Sequence, residues 1–338
     1  MGKILVTGGA GYIGSHTVVE LLQSGYEPVV VDSLVNSDGS LIGGIEKITG
    51  KKVNFLKGDC CDKKFVAEVF RTQGPIDAVI HFAAFKSVGE SASIPLEYHQ
   101  NNVGSLLVLL EVMKDFKVKD IIFSSSCTVY GQPDQIQVNE NAPFKRAESA
   151  YGATKQICER ILEDVSTVGY RVISLRYFNP IGAHPTTEIG EIAIGIPNNL
   201  IPYVTQTAAG LREKLTVFGD DYDTPDGSCL RDFIHVVDVA TAHVSALDYL
   251  KTLPSHKLFD AFNLGTGMPV SVLEVIRKFE NVTGKKLAYS IGPRRPGDVV
   301  KVYADPQKAN KVLGWKTKFS IEDGLLHAWN WQKKLMKP

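Results

Sequence analysis

Residues 7–16 read TGGAGYIGSH and follow the apolar run KILVTG at 3–8. The segment after them, from Ser15 to Ser24, has the apolar spacing of a helix. The glycines fit both G-x-x-G-x-x-G and G-x-G-x-x-G. Glycine allows a tight turn and lets the backbone approach a pyrophosphate, and the next helix offers free N–H groups and the positive end of its dipole. A strand, this loop and a helix in that order predict a dinucleotide-binding βαβ unit.

A carboxylate ends the second apolar run, PVVVD at 28–32. Without the glycine loop, Asp32 would be interpreted as a turn residue at the end of a strand. After that loop, a carboxylate in this place accepts hydrogen bonds from both ribose hydroxyls and repels a 2′-phosphate. The sequence therefore predicts NAD rather than NADP as the cofactor.

Short runs rich in valine and isoleucine recur through the first half of the chain, and each ends in a turn signal. They lie at 3–8, 28–32, 53–59, 77–84, 120–126 and 171–179. Segments with helical spacing lie between them, for example from Asn101 to Phe116. Continuous apolar strands that alternate with helices are typical of a parallel sheet buried on both faces. We predict an α/β fold built on a doubly wound parallel sheet.

A second, smaller α/β domain is predicted for the C-terminal part. From Pro180 to about Arg231 the chain is rich in Gly, Pro, Asn and Asp, and a strand and a helix then return briefly. The last seventy or so residues mix strands and loops with two helices. The predicted nucleotide-binding domain covers 1–180 plus about 232–262, and the predicted substrate domain covers 181–231 and 263–338.

Composition argues against several classes of partner. Lys+Arg and Asp+Glu both number 37 in 338 residues, and no basic tract stands out, which argues against nucleic acid. No apolar run approaches the length of a membrane span, and a structured run begins at Lys3 where a signal peptide would stand. The five cysteines include no Cys-x-x-Cys pair, so we expect free thiols and a cytoplasmic location. The eight histidines show no metal-binding spacing, so we predict no metal and interpret His81 as a core histidine.

Hydroxyl and amine groups gather after the fifth apolar run. That run closes in SSSCTVYG at 124–131, and AYGATK at 150–155 sets Tyr151 and Lys155 four positions apart. On any helix such a pair lies on one face, and an exposed pair is harmless. A hydroxyl cluster followed by Tyr-x-x-x-Lys, behind a dinucleotide site, resembles the short-chain dehydrogenase/reductase superfamily in its extended form.

The resemblance implies that Tyr151 acts as a base. A tyrosine side chain, whose pKa in water is about 10, needs roughly 4 kcal/mol of differential stabilisation to ionise near pH 7. Lys155 and the positive nicotinamide ring of NAD⁺ are the cations that would supply it. Ser126 would hydrogen-bond the substrate hydroxyl and assist the proton transfer. The predicted catalytic residues are Tyr151, Lys155 and Ser126.

Longer stretches make the resemblance more specific. They are RYFNPIGAH at 176–184, IPNNLIPYV at 196–204, VFGDDYDTPDGSCLRDFIHVVDVA at 217–240 and RRPGDV at 294–299. These stretches are similar to the UDP-glucose 4-epimerase family, and the likeness continues to LGW at 313–315. The family implies that Tyr151 takes the proton of the sugar 4-hydroxyl while the hydride passes to NAD⁺. The 4-keto sugar then swings about its diphosphate, the hydride returns to the opposite face, and NAD stays bound throughout.

The resemblance also implies two sets of binding residues. The cofactor set is Gly8, Gly11, Tyr12, Ile13, Gly14, Asp32, Asn36, Asp59, Cys60, Phe82, Ala83, Ala84, Lys86, Asn101, Ser124, Tyr151, Lys155 and Tyr177. The substrate set is Lys86, Ser126, Tyr151, Phe178, Asn179, Asn199, Leu200, Thr216, Phe218, Arg231, Arg295, Asp298 and Val302. Arg231 and Arg295 would clamp the two phosphates, because guanidinium forks match phosphate oxygens. Surface ion pairing with Asp232 and Asp298 is the alternative for these arginines.

Two other classes of function stay open: another NAD-dependent nucleotide-sugar enzyme, and a protein without catalytic activity. Nucleotide-sugar 4,6-dehydratases on this fold carry an Asp-Glu pair after the strand-five hydroxyl, where this chain has Cys127 and Thr128. A UDP-glucuronate decarboxylase would likewise need a carboxylate nearby. A non-catalytic NAD-sensing protein is the other alternative, and the intact Ser126, Tyr151 and Lys155 argue against it.

Two positions depart from the family or vary within it. Ser33 stands where the family often has asparagine, although Asn36 is close by. Val302 stands where the family lines its sugar pocket with either a bulky aromatic or a small residue. A small side chain there leaves room for a 2-acetamido group, so we predict that the N-acetylated sugars UDP-GlcNAc and UDP-GalNAc also react.

One helix suggests a subunit contact. The stretch VGSLLVLLEVM at 103–113 is apolar nearly all round, so one face is expected on the sheet and the rest at an interface. A helix buried under loops would explain the same pattern. The resemblance implies a homodimer joined by this helix and by the helix that carries Tyr151.

Overall fold

A computed structural model of the chain describes residues 2–197, 199–253, 258–294 and 301–337. The strands are β1 (Lys3–Thr7), β2 (Glu27–Asp32), β3 (Asn54–Lys57), β4 (Ala78–His81), β5 (Asp120–Ser126), β6 (Gln137–Val138), β7 (Arg171–Tyr177), β8 (Asn179–Ile181), β9 (Leu215–Phe218), β10 (Leu230–His235), β11 (Leu258–Leu264), β12 (Pro269–Ser271), β13 (Tyr289–Gly292) and β14 (Lys301–Ala304). The α-helices are α1 (Tyr12–Gln23), α2 (Ser40–Thr49), α3 (Lys63–Gln73), α4 (Val88–Ser93), α5 (Pro95–Asp115), α6 (Ala150–Ser166), α7 (Leu200–Ala208), α8 (Val236–Thr252), α9 (Val272–Thr283), α10 (Gln307–Val312) and α11 (Ile321–Leu335).

Seven strands form one sheet in the order β11-β7-β5-β4-β1-β2-β3, and each neighbouring pair is parallel. Successive residues of β1 enter different cores, because side chains alternate across a strand. Leu5 joins one buried cluster with Val29 and Val79, whereas Val6 joins another with Val30 and Ile80. The sheet is therefore covered on both faces, which confirms the predicted doubly wound α/β fold.

The six predicted strands of the first half are all present, and each observed strand begins and ends within three residues of its predicted bounds. The helices begin earlier than their apolar patterns indicate. The first begins at Tyr12 directly after the glycine loop, and α5 begins at Pro95, where the fixed φ of proline suits the first helical turn. Within α5, Leu106 and Leu109 are fully buried while Leu107 is 46% exposed, so one face of this helix packs inward and part of the apolar surface stays outside.

The C-terminal part is a smaller layered unit. Strands β12, β10, β14 and β6 form a second sheet, with β8 added beside β10, and β9 pairs with β13. Helices α7, α9 and α11 cover a third core that includes Val204, Phe279 and Leu325. The described residues of the last part of the chain form three helices rather than the predicted two. The additional helix, α10, is six residues long and buries Ala309 alone, which is too little to show a helical period in the sequence.

Strand β10, helix α8 and strand β11 connect the two units. Strand β10 belongs to the smaller sheet, whereas α8 packs on α1 through side chains such as Val239 and Ala242, and β11 joins the edge of the seven-stranded sheet. The chain thus returns to the larger unit before it completes the smaller one. Strand β8 follows β7 directly and pairs with β10, so the carboxyl end of β7 leads into the smaller unit.

Candidate active site

The glycine loop between β1 and α1 is tightly turned. Gly8 has φ of 72°, a backbone conformation that glycine adopts without strain, and its N–H donates to the Val31 carbonyl at 2.7 Å. A Cβ at Gly8 would lie 2.7 Å from the Ala83 nitrogen, and a Cβ at Gly14 would overlap the Gly8 carbonyl oxygen. The N-cap of α1 is Gly11, and no side chain caps the helix there. The first N–H groups of α1 are therefore not bonded by a capping side chain.

A cavity of about 460 Å³ runs along the carboxyl edge of β1, β2, β4 and β5. Every residue of the predicted cofactor set lines it, from the glycine loop at one side to Ser124, Tyr151, Lys155 and Tyr177 at the other. Ligands in open α/β sheets bind outside the carboxyl ends of the strands, and this cavity has that position.

Asp32 is held firmly at the end of β2. Its carboxylate accepts from the Ala10 N–H at 3.1 Å, the Leu34 N–H at 2.9 Å and the Ser37 hydroxyl at 2.7 Å. Leu34 has φ of 60°, so the chain turns sharply there. The carboxylate is 8% exposed and lines the cavity, which leaves it able to accept a further donor from that side.

Tyr151 and Lys155 lie side by side in the first turns of α6, whose N-cap is Ser149. Lys155 donates from Nζ to the Ser124 carbonyl at 2.6 Å, and Nζ lies 5.8 Å from the centre of the Tyr151 ring. Burial lowers the pKa of Lys155 to about 8 and raises the pKa of Tyr151 to about 12. In the chain without its cofactor, burial disfavours both charged forms, so ionisation of Tyr151 by Lys155 and the cofactor together stays a prediction.

Ser126 lies next to this pair at the end of β5. Its hydroxyl accepts from the Thr128 N–H at 3.2 Å and caps the short 3-10 turn Cys127–Tyr130. A hydrogen bond with the Ser126 side chain opposes the larger effect of burial on the pKa of Tyr151. The structure therefore brings Ser126, Tyr151 and Lys155 together, although Ser126 is not among the residues that line the cavity.

The predicted substrate residues are more scattered. Asn199 lines the cavity and is the N-cap of α7, which begins at Leu200, while Thr216 and Phe218 lie on β9. The Asn179 side chain donates to the Asp232 carbonyl at 3.0 Å, and Arg231 donates to the Leu230 carbonyl at 2.8 Å. Phe178 and Val302 share a small buried cluster with Tyr130 and Ala304. Arg295 and Asp298 lie outside the described residues.

Glu191 is a cavity residue that the sequence did not single out. Its carboxylate accepts from Lys86 Nζ at 3.0 Å and from the Asn199 side chain at 2.7 Å, so it joins two predicted binding residues. Most of the segment after it, residues 192–197, also lines the cavity. Its pattern shows neither a strand nor a helix period, and only the folded chain brings Lys86 and Asn199 to one carboxylate.

Other predicted features can be placed directly. His81 is 2% exposed, its Nδ1 lies 2.7 Å from the Thr7 hydroxyl, and burial lowers its pKa to about 3. Each of the five cysteines is a free thiol. Within the part of the chain that the structure describes, no three His, Cys, Asp or Glu side chains are grouped to hold a metal. In the same residues, no helix combines the length and the apolar character that a membrane span requires.

Comparisons with known proteins identify the family of this chain. The sequence matches the NAD dependent epimerase/dehydratase family over residues 4–265. It is 51% identical to a UDP-glucose 4-epimerase of Bacillus subtilis over 97% of this chain and 96% of that protein. A UDP-glucose 4-epimerase of Bifidobacterium longum, solved with NAD⁺ and UDP, has a TM-score of 0.94 at 47% identity and 98% coverage of both chains. The enzyme of Stenotrophomonas maltophila, solved with NAD and formylated UDP-arabinopyranose, has a TM-score of 0.95 at 46% identity and 99% coverage of both chains.

Proposed function

This chain belongs to the NAD dependent epimerase/dehydratase family, and we propose that it interconverts UDP-glucose and UDP-galactose by 4-epimerisation with bound NAD. One observation carries the proposal. A single cavity joins the glycine loop, Asp32 and the Tyr151–Lys155 pair, so a dinucleotide and a proton-transfer group share one space. Transient oxidation of a sugar hydroxyl needs that arrangement.

The residues present fit NAD. The loop admits only glycine at Gly8 and Gly14, which leaves room for a pyrophosphate against the N-terminus of α1. Asp32 would bind the ribose hydroxyls next to the adenine, and Asp59 lies on the same side of the cavity. When bound, NAD⁺ supplies the hydride acceptor and a positive charge beside the phenol, and NADH returns the hydride.

Proton transfer would be carried out by a side chain of the protein. Tyr151 Oη would take the proton of the sugar 4-hydroxyl and give it back after the sugar has turned. In the protein alone this phenol is neutral at pH 7, since its pKa is about 12. Lys155 is held close by its bond to the Ser124 carbonyl, and the Ser126 side chain acts against the rise in the pKa of Tyr151. These groups would keep Tyr151 in place while a cation at the other side makes the phenolate accessible.

We assign the nucleotide half of the substrate to the smaller unit, as the predicted domain division implies. Asn179, Arg231 and Phe218 lie on β8, β10 and β9 of this unit, and β8 pairs with β10. Epimerisation requires UDP to be held by many groups and the hexose by few, so that the 4-keto sugar turns freely between two hydride transfers. The substrate candidates are consistent with this, because most of them address the nucleotide.

The test uses purified protein without added nucleotide. UDP-galactose should be converted to UDP-glucose, and NAD should be released when the sample is denatured. Tyr151→Phe should keep its fold and its NAD but lose nearly all turnover. Full activity of that variant would show that Tyr151 is not the base. Loss of water from the sugar would indicate a 4,6-dehydratase. Loss of carbon dioxide from UDP-glucuronate would indicate a decarboxylase. Bound NAD without turnover of any of these sugars would indicate a non-catalytic NAD-sensing protein.

A second activity concerns UDP-GlcNAc and UDP-GalNAc. Val302 pairs with Arg231 in the β10–β14 register and packs beside Phe178, so a residue of modest size stands near two substrate candidates. Its size supports acceptance of a 2-acetamido group. Turnover of UDP-GlcNAc should disappear in Val302→Tyr while turnover of UDP-galactose remains. Failure of the unchanged protein to act on UDP-GlcNAc, at levels where UDP-galactose reacts, would refute this extension.

The assembly proposed here is a homodimer in the cytoplasm. Helices α5 and α6 pack together, and Leu107 and Ile157 on them are 46% and 39% exposed, which supports an apolar contact between subunits. Free thiols at all five cysteines support a reducing compartment. Sedimentation at micromolar concentration should show a dimer, and a monomer would contradict it.

A further inference from the structure

Tyr177 lines the cavity, but its hydroxyl hydrogen-bonds a buried side chain outside the cavity lining. It is the last residue of β7 and lines the cavity with Tyr151 and Lys155. Its hydroxyl oxygen lies 2.6 Å from Nε2 of His243, a side chain of α8 with no exposed surface. A cavity-wall phenol is thus hydrogen-bonded to a fully buried histidine of α8.

The direction of this hydrogen bond follows from the other ring nitrogen. His243 Nδ1 lies 2.9 Å from the Val239 carbonyl, which only accepts, so Nδ1 carries the hydrogen. Burial lowers the pKa of His243 to about 3, so the ring is neutral and Nε2 has a lone pair. Tyr177 must therefore donate to His243, and its oxygen presents only lone pairs toward the cavity.

Ser124 lies on β5, the strand that pairs with β7, and lines the cavity beside Tyr177. Burial raises the pKa of Tyr177, and the nearby Ser124 side chain acts against that rise. Donation therefore runs from the Tyr177 hydroxyl to His243 Nε2, and from His243 Nδ1 to the Val239 carbonyl on α8.

His243 also supports a second wall of the cavity. Its ring lies 4.8 Å from the ring of Phe82, which follows β4 and faces the same space. One buried side chain thus touches two of the predicted cofactor residues from behind. Besides its two hydrogen bonds, His243 therefore packs against a second residue of the cavity wall.

We propose that His243 is a positioning residue for the nicotinamide end of the cofactor. It holds the Tyr177 O–H in a hydrogen bond that points away from the cavity. The Tyr177 oxygen is then left to accept a hydrogen bond from the carboxamide of the nicotinamide ring. This inference rests on the proposed function, which requires the reactive ring of NAD to lie near Tyr151. The carboxamide is the hydrogen-bond donor of that ring, and an acceptor fixed in one direction selects its orientation.

Two matched substitutions test the role. His243→Asn keeps a group that bonds the Val239 carbonyl but is too short to accept from Tyr177, whereas His243→Gln places an amide oxygen near the position of Nε2. Each variant is purified with its bound NAD, and the rate of NAD loss is followed by dilution over charcoal. Thermal unfolding confirms that each is folded.

The Asn variant should lose NAD about tenfold faster than the unchanged protein, in line with one buried hydrogen bond. The Gln variant should stay within about twofold, and Tyr177→Phe should lose NAD as fast as the Asn variant. Adding His243→Asn to Tyr177→Phe should have no further effect on the rate. Equal damage by Asn and Gln, or an additional loss in the Tyr177→Phe background, would overturn the proposal and leave His243 as a core residue.

The same series separates this inference from the function it rests on. The unchanged protein must retain NAD and convert UDP-galactose to UDP-glucose. If it does neither, the proposed function fails. If it does both and the double substitution is additive, only the assignment of His243 fails.

Discussion

Replacing Lys155 with methionine tests the electrostatic basis of the site. Lys155 Nζ lies 5.8 Å from the centre of the Tyr151 ring. At that distance an effective dielectric constant of about 20 gives an attraction of about 3 kcal/mol between an ammonium and a phenolate. Each pKa unit corresponds to about 1.4 kcal/mol, so removal of the cation should raise the pKa of the base by about two units.

The assay is kcat with saturating UDP-galactose between pH 6 and 9.5, on protein with bound NAD. Lys155→Met should lower kcat at pH 7 by a factor on the order of 100 and recover part of it at alkaline pH, because more phenolate forms there. Lys119→Met is the matched control, since Lys119 is exposed and lies 4.8 Å from the centre of the Tyr170 ring, outside the cavity lining. A fall in kcat with no alkaline displacement of the pH profile would refute the electrostatic argument and assign Lys155 a purely geometric role.

The other predictions concern stability and cofactor retention. Burial lowers the pKa of Lys155 to about 8. The charged side chain therefore lowers the free energy of unfolding by about 3 kcal/mol below pH 8, and this cost disappears as the pH rises toward 10.5. Lys155→Met should have a higher melting temperature than the unchanged protein at pH 7, and the difference should disappear near pH 10. Gly14→Ala places a Cβ against a loop carbonyl, and NAD released on denaturation should fall at least ~10-fold. Glu159→Gln removes the charge paired with Arg176 at 2.7 Å, both nearly fully buried, and should cost about 3 kcal/mol by urea unfolding. Its control, Glu163→Gln on the exposed face of α6, should cost less than about 0.5 kcal/mol, and equal losses would contradict the role of burial.

The ion pair behind the third of these predictions explains how the site keeps its shape. Glu159 lies one turn after Lys155 on α6, and it accepts from the Ser125 hydroxyl on β5 and from Arg176 on β7. Helix and strands are thus joined where they carry Ser124, Ser126 and Tyr177. No local pattern in the sequence pairs these groups, because the three elements meet only in the folded chain.

The sequence by itself determined the features that depend on local geometry. A glycine loop after a strand must turn tightly and precede a helix, and side chains four residues apart on a helix must share a face. Hence the fold class, the loop at Gly8 and the Tyr151–Lys155 pair were predictable. The lengths of α1, α5 and α10 were less predictable, because the first and last turns of a helix carry few apolar residues.

Only the tertiary structure decided how these groups are charged and supported. Tyr151 has a high pKa because packing removes water from it, and burial is set by surfaces that meet from distant parts of the chain. Glu191 reaches Lys86, 105 residues away, and His243 reaches Tyr177, 66 residues away. Neither contact leaves a period or a motif, because a hydrogen bond across a core depends on the relative placement of whole elements rather than on their spacing along the chain.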